Sequence, residues 1–322
     1  MRSVDIAGGV TLTELGMGGS QLGNLGRESS DEQCAAAIDA AWQGGVRYFD
    51  TAPHYGLGLS ERRLGTLLRA YPRSDFTIST KVGRLLVPTP ERAAVWDDGG
   101  FAVPAMHRRE WDFSRDGILR SIEGSLERLG MDSLDIAYLH DPDDHWEAAS
   151  TTGIGALIEL RDQGMVRAIG AGMNQSAMLA DFVDQCDVDV VMLAGRYTLI
   201  ERHATVDLLP RALERGVAVV AAGVYNSGLL SKQDITDDAR FDYGAASASV
   251  LARARDMAAA CAAQGVELPE AAIQFPLHDP AVVSVVIGAR DGVQVDQALT
   301  RLSCRIPAKL WGEIDAIAHR PE

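Results

Sequence analysis

Short apolar runs alternate along the chain with polar loops and longer amphipathic segments. The runs are rich in valine, isoleucine and leucine and are nearly continuous, as is typical of parallel strands buried on both faces. Successive strand–helix units of this kind predict a closed (β/α)8 TIM barrel of the α/β class rather than an open sheet. The eight apolar runs are residues 15–19, 46–49, 76–80, 134–139, 166–172, 188–193, 217–222 and 282–288.

The ends of these elements carry residues that start helices and turns. In the amphipathic segment 30–45, Ser30 or Asp31 can cap the first helical turn, and glycines can end the last. Before the first barrel strand, two apolar runs flank the adjacent glycines Gly8 and Gly9. This pattern predicts an N-terminal β-hairpin ahead of the barrel.

Residues 83–113 form the longest irregular stretch, and they are far more than a strand–helix loop needs. The stretch follows the third predicted strand, on the face where barrel enzymes keep their chemistry. It carries Trp96, Phe101 and Trp111. Because long loops are often functional, we interpret it as a lid over a substrate, with a surface loop of structural role as the alternative.

Composition narrows the class of protein. With 322 residues, 47% of them hydrophobic, and no linker of Pro/Gly/Ser type, residues 1–322 are expected to form a single domain. A net charge of −15 argues against a nucleic-acid or anionic-membrane partner. The four cysteines have no C-x-x-C spacing, which argues against a zinc site and a disulfide framework.

The N-terminal residues and the hydropathy of the chain bear on its location. The first residues contain acids and glycines where a signal peptide has an apolar core. No apolar run approaches the roughly 20 residues that a membrane span needs. The expectation is a cytoplasmic protein that acts on a small molecule, and its oligomeric state stays open.

Three consecutive predicted strands end in a polar side chain, namely Asp50, Lys81 and His140. The carboxyl ends of barrel strands share one rim, so these side chains are expected to meet there, with Tyr55 beside them. A phenol, with its usual pKa of about 10, carries protons near neutral pH only if its anion is favoured, as a nearby ammonium does. We therefore predict that Asp50 fixes a charged Lys81, which lowers the pKa of Tyr55. His140 would hydrogen-bond the substrate oxygen.

Taken singly, each of these residues is more often a solvated or structural residue than a functional one. Their convergence on one predicted rim favours a shared chemical role.

The motifs "FDTAPHYG", "SERRLG", "STKVGR", "RSIEGSLERLGMDSLDIAYLHD" and "GAGMN" occur in this order along the chain. Together they resemble the aldo-keto reductase family over nearly the whole length. The resemblance implies a (β/α)8 barrel that binds NAD or NADP without a Rossmann domain, and the sequence contains no G-x-G-x-x-G. It also implies a catalytic tetrad of Asp50, Tyr55, Lys81 and His140.

The resemblance implies further residues for the cofactor. Asn174 matches the residue that hydrogen-bonds the nicotinamide amide, while Ala194 and Ala222 replace the family's usual glutamine and stacking aromatic. Tyr225 or Tyr197 are the candidates to supply the missing ring. The implied cofactor contacts are Gly19, Asp50, Asn174, Tyr225, Asn226, Ser227, Gly228, Leu229, Ile287, Gly288, Ala289, Arg290, Gln294 and Gln297.

Arg290 is the one clear cation in the loop expected on the adenosine side of the cofactor. NADP+ needs a partner for about two extra negative charges, so discrimination against NAD+ is expected to be weak or reversed.

The longer motif "FDTAPHYGLGLSERRLG", with "MHRREWDFSRDGILRS" and "HDPD", resembles a narrower branch of the family. That branch contains L-fucose, D-threo-aldose and L-galactose dehydrogenases and pyridoxal 4-dehydrogenase. The resemblance implies oxidation of a cyclic hemiacetal, an aldose at C1 or pyridoxal, to a lactone. The candidate substrate contacts are His54, Trp96, Arg109, Trp111, His140, Asp141 and Asp143.

Three other functions stay open at this point. The same residues would serve a general NADPH-dependent aldehyde or ketone reductase. A cofactor-binding regulatory subunit without turnover is a second alternative, although the intact tetrad argues against it. A phosphate-binding barrel lyase or isomerase is the third.

Overall fold

The computed structural model describes residues 1–320. The predicted single domain covers 1–322, so its last two residues lie outside the described range. The strands are β1 Ser3–Ile6, β2 Val10–Thr13, β3 Leu15–Gly18, β4 Tyr48–Asp50, β5 Thr77–Val82, β6 Arg84–Pro88, β7 His107–Trp111, β8 Ile136–His140, β9 Ala168–Met173, β10 Val190–Ala194, β11 Ala218–Ala222, β12 Arg240–Phe241, β13 Gly244–Ala245 and β14 Val282–Gly288. The helices are α1 Asp31–Gln43, α2 Leu59–Leu68, α3 Arg115–Leu129, the short α4 Trp146–Ala148, α5 Ile154–Asp162, α6 Ser176–Gln185, α7 Leu208–Arg215, α8 Ala248–Ala263, α9 Leu268–Gln274, α10 Gly292–Ser303 and α11 Ala308–Ala318.

Within residues 1–320, eight strands close into one barrel, in the order β3, β4, β5, β8, β9, β10, β11 and β14. Neighbouring strands are parallel, and β14 pairs back onto β3. Each barrel strand overlaps one of the apolar runs, and β5, β8 and β9 are buried along their whole length. The predicted (β/α)8 fold is confirmed by this closed barrel. Continuous apolar runs predicted its strands correctly, because a parallel strand in a barrel is buried on both faces.

The helix ends follow the capping residues. Ser30 caps α1: its hydroxyl accepts a hydrogen bond from the main-chain N–H of Gln33, whose side chain accepts in return from the N–H of Ser30. The Ser114 hydroxyl caps α3 by accepting a hydrogen bond from the main-chain N–H of Gly117, and Gly130 ends that helix with a φ of 64°. No helix within residues 1–320 is both long and apolar enough to cross a membrane.

The predicted N-terminal hairpin is present as the antiparallel pair β1 and β2. Gly8 has a φ of 68°, and a Cβ placed on it would lie 1.9 Å from the carbonyl oxygen of Arg167, so only glycine fits this approach. Val10 and Leu12 of the hairpin are buried among side chains inside the barrel, such as Tyr138. The hairpin closes the end of the barrel at which the strands begin.

The interpretation of residues 83–113 as wholly irregular is wrong. Strands β6 and β7 form an antiparallel hairpin here, with pairs running from Arg84 and Trp111 to Pro88 and His107. Residues 89–106 separate the two strands, so no tight-turn signal marks the hairpin. Many of its side chains are half-buried or exposed, which weakens the alternation of apolar and polar residues by which strands are recognised.

Candidate active site

A buried ion pair lies at the rim where the barrel strands end. Asp50 ends β4 and Lys81 lies near the end of β5, and Lys81 Nζ is 2.6 Å from Asp50 Oδ2. Both side chains are only 3% exposed, and the Ser79 hydroxyl donates to the other oxygen of Asp50 at 2.7 Å. Burial alone would lower the pKa of Lys81, but Asp50 and Tyr55 raise it above its ordinary value. Lys81 is therefore a fixed ammonium, as predicted.

Polar side chains inside the barrel support this pair from below. The Tyr48 hydroxyl lies 3.1 Å from the Ser79 hydroxyl and 3.3 Å from that of Tyr138. These three side chains are buried, and together they give the Asp50 carboxylate a defined environment. Sequence reasoning missed them; the only signal was a polar position within each otherwise apolar strand.

Tyr55 lies over the same rim, in the loop between β4 and α2. Lys81 Nζ is 4.8 Å from the centroid of its ring, and the His140 ring centroid is 6.0 Å away. Burial raises the pKa of Tyr55, Lys81 lowers it, and Asp50 adds a smaller rise. Lys81 thus acts in the predicted direction, but burial outweighs it and leaves the pKa above the usual 10.0.

His140 ends β8 and is buried beside Tyr55. Burial lowers the pKa of its imidazole well below 6.5, and the charges of Arg84 and Lys81 lower it further. Its Nδ1 atom is buried and has no hydrogen-bond partner among residues 1–320. His140 is therefore a neutral imidazole, able to hold one substrate oxygen.

The structure places neither predicted tryptophan at the cavity. Trp111 is 41% exposed and packs under the guanidinium of Arg84, which lies 4.1 Å from its ring and pairs with Asp141. Trp96 is 59% exposed on the connection between β6 and β7. Phe101 of the same connection is buried and lines the cavity. Neither tryptophan is among the residues that line the cavity, and their stacking on a substrate stays a prediction.

A cavity of about 870 Å³ opens at this rim and falls within the ~300–1,000 Å³ range of small-molecule sites. The predicted residues that line it are Asp50, His54, Tyr55, Lys81, His140, Asp141, Asn174, Tyr225, Asn226, Ser227, Gly228, Ile287 and Gly288. Predicted residues outside its lining are Gly19, Arg109, Asp143, Leu229, Ala289, Arg290, Gln294 and Gln297.

One end of the cavity suits a dinucleotide. Asn226, Ser227 and Gly228 have consecutive φ values of 38°, 54° and 91°, and the N–H groups of Asn226 and Gly228 close this left-handed turn by donating to the carbonyl oxygens of Gly223 and Tyr225. Tyr225 also lines this end, with its hydroxyl buried and unpartnered among the described residues. Tyr197 packs in the core against Phe275 and is not among the residues that line the cavity, so Tyr225 is the candidate ring that lies at this end.

The chain also brings an unpredicted hairpin over this end. Strands β12 and β13 form it, and Arg240 and Tyr243 line the cavity. Tyr243 N–H donates to the Ser227 hydroxyl at 2.8 Å, and the Tyr243 hydroxyl lies 3.3 Å from the side-chain nitrogen of Asn174. Sequence reasoning missed these residues because the strands have two residues each and no apolar run marks them.

Arg290 lies outside the cavity, where it holds a neighbouring loop. Its guanidinium donates to the carbonyl oxygens of Leu25 and Arg27 and lies 3.3 Å from the Ser29 hydroxyl. The main-chain N–H of Arg290 donates to the side-chain oxygen of Gln294 at 3.0 Å. Both side chains are thus engaged within the protein and lie outside the cavity lining, and their contact with the cofactor stays a prediction.

Comparison with known proteins agrees with this geometry. The model of the Aldo/keto reductase family matches residues 14–319. D-threo-aldose 1-dehydrogenase from Pseudomonas sp is 46% identical over 311 residues, covering 96% of this chain and 94% of that protein. Pyridoxal 4-dehydrogenase from Microbacterium luteolum is 37% identical over 322 residues, covering 94% of this chain and 93% of that protein.

Two solved structures share the fold. Glycerol dehydrogenase from Gluconobacter oxydans has a TM-score of 0.80 at 22% identity, covering 98% of this chain and 94% of that one. A holo aldo-keto reductase from Bacillus halodurans has a TM-score of 0.78 at 23% identity, covering 98% and 96%. At such identities the likeness concerns the fold alone. The family match and the two relatives show more: the chain belongs to the aldo/keto reductase family and is an oxidoreductase that uses NAD or NADP.

Proposed function

We propose that this protein oxidises the C1 hydroxyl of a cyclic hemiacetal, an aldose or pyridoxal, to a lactone. The observation that carries the proposal is the meeting of three groups at one cavity: a fixed ammonium at Lys81, the phenol of Tyr55 and the neutral imidazole of His140. The similarity to D-threo-aldose 1-dehydrogenase and to pyridoxal 4-dehydrogenase supports the substrate class.

The proton of the hydroxyl goes to Tyr55. For oxidation the phenol must first be deprotonated, and the Lys81 ammonium stabilises the resulting anion. His140 hydrogen-bonds the same hydroxyl oxygen and orients it toward Tyr55. Because burial holds the pKa of Tyr55 above its usual value, oxidation becomes faster as the pH rises.

A bound nicotinamide would accept the hydride from C1. Asn174 and the left-handed run at Asn226, Ser227 and Gly228 are the residues that would hold the cofactor. A hemiacetal suits this arrangement, because its C1 hydroxyl is already an alcohol and its ring oxygen has a lone pair to assist departure of the hydride.

We propose that NAD+ serves well as the cofactor. NADP+ adds a 2'-phosphate that binds most tightly to a free guanidinium. In this structure the Arg290 guanidinium is held by the loop of residues 25–29. The side chain would have to leave those oxygens to bind a phosphate.

We also propose that residues 1–322 act as a single domain in the cytoplasm, without a nucleic-acid or membrane partner. The net charge of −15 supports the absence of nucleic-acid and anionic-membrane partners, because both would repel such a molecule.

The test is product analysis. The protein is incubated with L-fucose, L-galactose, D-arabinose or pyridoxal and with NAD+ or NADP+, while absorbance follows the reduced cofactor and NMR identifies the product. A lactone, or its hydrolysed acid, is expected. Efficient reduction of simple aldehydes by NADPH with no lactone would replace the proposal by a general carbonyl reductase. Cofactor binding without any turnover would indicate a regulatory subunit.

A further inference from the structure

A buried ion pair clamps His54 beside Tyr55. Arg109, on β7, donates from Nε to Nδ1 of His54 and from Nη2 to the main-chain oxygen of His54 at 3.0 Å. Asp97 binds the same guanidinium with both carboxylate oxygens, at 2.6 and 2.9 Å. The side chains of Asp97 and Arg109 are only 2% and 15% exposed. Three residues from separate parts of the chain thus form one chain of hydrogen bonds.

The direction of these hydrogen bonds fixes the proton on His54. A guanidinium only donates hydrogen bonds, so Nδ1 of His54 must accept and carries no proton. Burial lowers the pKa of His54 to about 2, and the charges of Arg109, Arg84 and Lys81 act in the same direction. The imidazole is therefore neutral, and its one proton is on Nε2.

His54 lies where it can contact a substrate. Its ring lines the cavity, with centroids 6.0 Å from the Tyr55 ring and 5.6 Å from the His140 ring. Because Nδ1 is engaged by Arg109, Nε2 is the ring nitrogen available to a ligand. Tyr55 and His140 take the reacting hydroxyl, so a third donor at this distance meets an atom next to the reacting carbon.

We propose that His54 is a specificity-determining residue that donates Nε2–H to an oxygen next to the reacting carbon. Asp97 and Arg109 are positioning residues that hold it in this state. This inference rests on the proposed function, since a hemiacetal has such oxygens, in the ring and on the neighbouring hydroxyl. A plain aldehyde has neither. Sites that hydrogen-bond a substrate oxygen discriminate strongly against analogues that lack it.

The clamp also gives residues 89–106 a role. Asp97 lies on this connection between β6 and β7, far along the chain from His54 and Tyr55. Its bidentate bond to Arg109 restrains the guanidinium, which in turn keeps His54 from rotating or exchanging tautomers. The connection therefore acts on the substrate through His54, rather than through the exposed Trp96.

The kinetic test compares neighbouring aspartates. Asp97→Asn keeps the shape of the side chain but removes its charge, and Asp98→Asn is the matched control, since Asp98 is 83% exposed. For a hemiacetal substrate we expect kcat/KM of Asp97→Asn to fall about tenfold, which corresponds to the loss of one good hydrogen bond. For the reduction of a plain aldehyde it should change by less than about twofold. If Asp97→Asn and Asp98→Asn had the same kcat/KM for the hemiacetal substrate, the positioning role of Asp97 would be overturned.

Substitutions at His54 separate hydrogen bonding from packing. His54→Gln retains an N–H donor and should keep more of the preference for hemiacetals than His54→Leu, which retains none. Equal losses in both variants would contradict the proposed donor. If Asp97→Asn does not fold, Arg109→Lys tests the same role. Lysine keeps the positive charge, but it cannot make the several directed hydrogen bonds of a guanidinium.

A spectroscopic test is independent of the substrate. In protein with 15N-labelled histidine, the His54 signals are assigned by their loss in His54→Gln. We expect an unprotonated Nδ1 and a protonated Nε2 throughout the range of about pH 5 to 8. A proton on Nδ1, or titration within this range, would overturn the clamp. Failure of the wild type to form a lactone would instead count against the proposed function, so the two failures are distinguishable.

Discussion

Two walls of the cavity are built in different ways. On one wall, Asp50, Lys81 and His140 lie at the ends of neighbouring parallel strands, so the barrel register alone brings them together. On the other wall, the state of His54 depends on Arg109 and Asp97, which come from a hairpin and its connection. The barrel thus fixes the groups that we assign to the reaction, while an added segment fixes the groups that we assign to substrate choice.

Each wall contains a desolvated ion pair, and the two pairs do different things. The pair of Lys81 and Asp50 sets the charge beside Tyr55. The pair of Arg109 and Asp97 sets the tautomer of His54. We therefore expect changes on the first wall to affect stability and turnover for every substrate, and changes on the second wall to affect turnover of only some substrates.

The largest effect is expected from Lys81→Met. It leaves the Asp50 carboxylate buried without its partner, and breaking a buried pair from one side typically costs about 3–5 kcal/mol of unfolding free energy. The measurement is urea unfolding, and the double variant Asp50→Asn/Lys81→Met should recover part of the loss. Lys309→Met is the control, since Lys309 is exposed and forms a surface pair with Glu313. A loss no greater than that of the control would contradict the assignment.

Tyr55→Phe is expected to have the next largest effect. A positioned acid–base group commonly supplies at least about 10² in rate, or about 2.7 kcal/mol, so kcat should fall by that factor for hemiacetals and plain aldehydes alike. The dissociation constant of the cofactor, measured by fluorescence titration, should change little. Tyr71→Phe serves as control, because the Tyr71 hydroxyl donates to Asp39 at the surface, away from the cavity. A variant that keeps most of its turnover would rule out the proton-carrying role.

A smaller effect should appear in the pH dependence of stability. His54 and His140 have pKa values lowered in the folded chain, so both stay neutral there at pH 5. The unfolded chain takes up protons below the ordinary pKa of about 6.5, which stabilises it. Stability present above that pH is therefore lost as the pH falls, by about 2 kcal/mol per histidine at pH 5.

Urea unfolding at neutral pH and at about pH 5 measures this loss. His54→Gln should remove the contribution of His54 to this loss of stability and leave the contribution of His140. The control is His203→Gln at an exposed position, which should leave the pH dependence of stability unaltered. If His54→Gln left it unaltered as well, His54 would not be held neutral by the clamp.

The sequence by itself determined the barrel and the residues at the strand ends. Each buried strand is encoded by consecutive residues, since burial on both faces needs an uninterrupted apolar run. A polar residue that follows such a run must then emerge at the common rim, which is why Asp50, Lys81 and His140 were found without the structure. The cap of α1 was also a local signal, which the sequence narrowed to Ser30 or Asp31 and the structure assigns to Ser30.

Tertiary structure alone decided which side chains meet across long separations. The pairs of Arg109 with His54, Arg84 with Asp141, and Arg290 with residues 25–29 join positions that no local pattern connects. Strands β6 and β7 were missed for the same reason, because their pairing spans residues 89–106. The pKa of Tyr55 also depended on the fold, since burial opposes the nearby ammonium and only the packed structure fixes which of the two is larger.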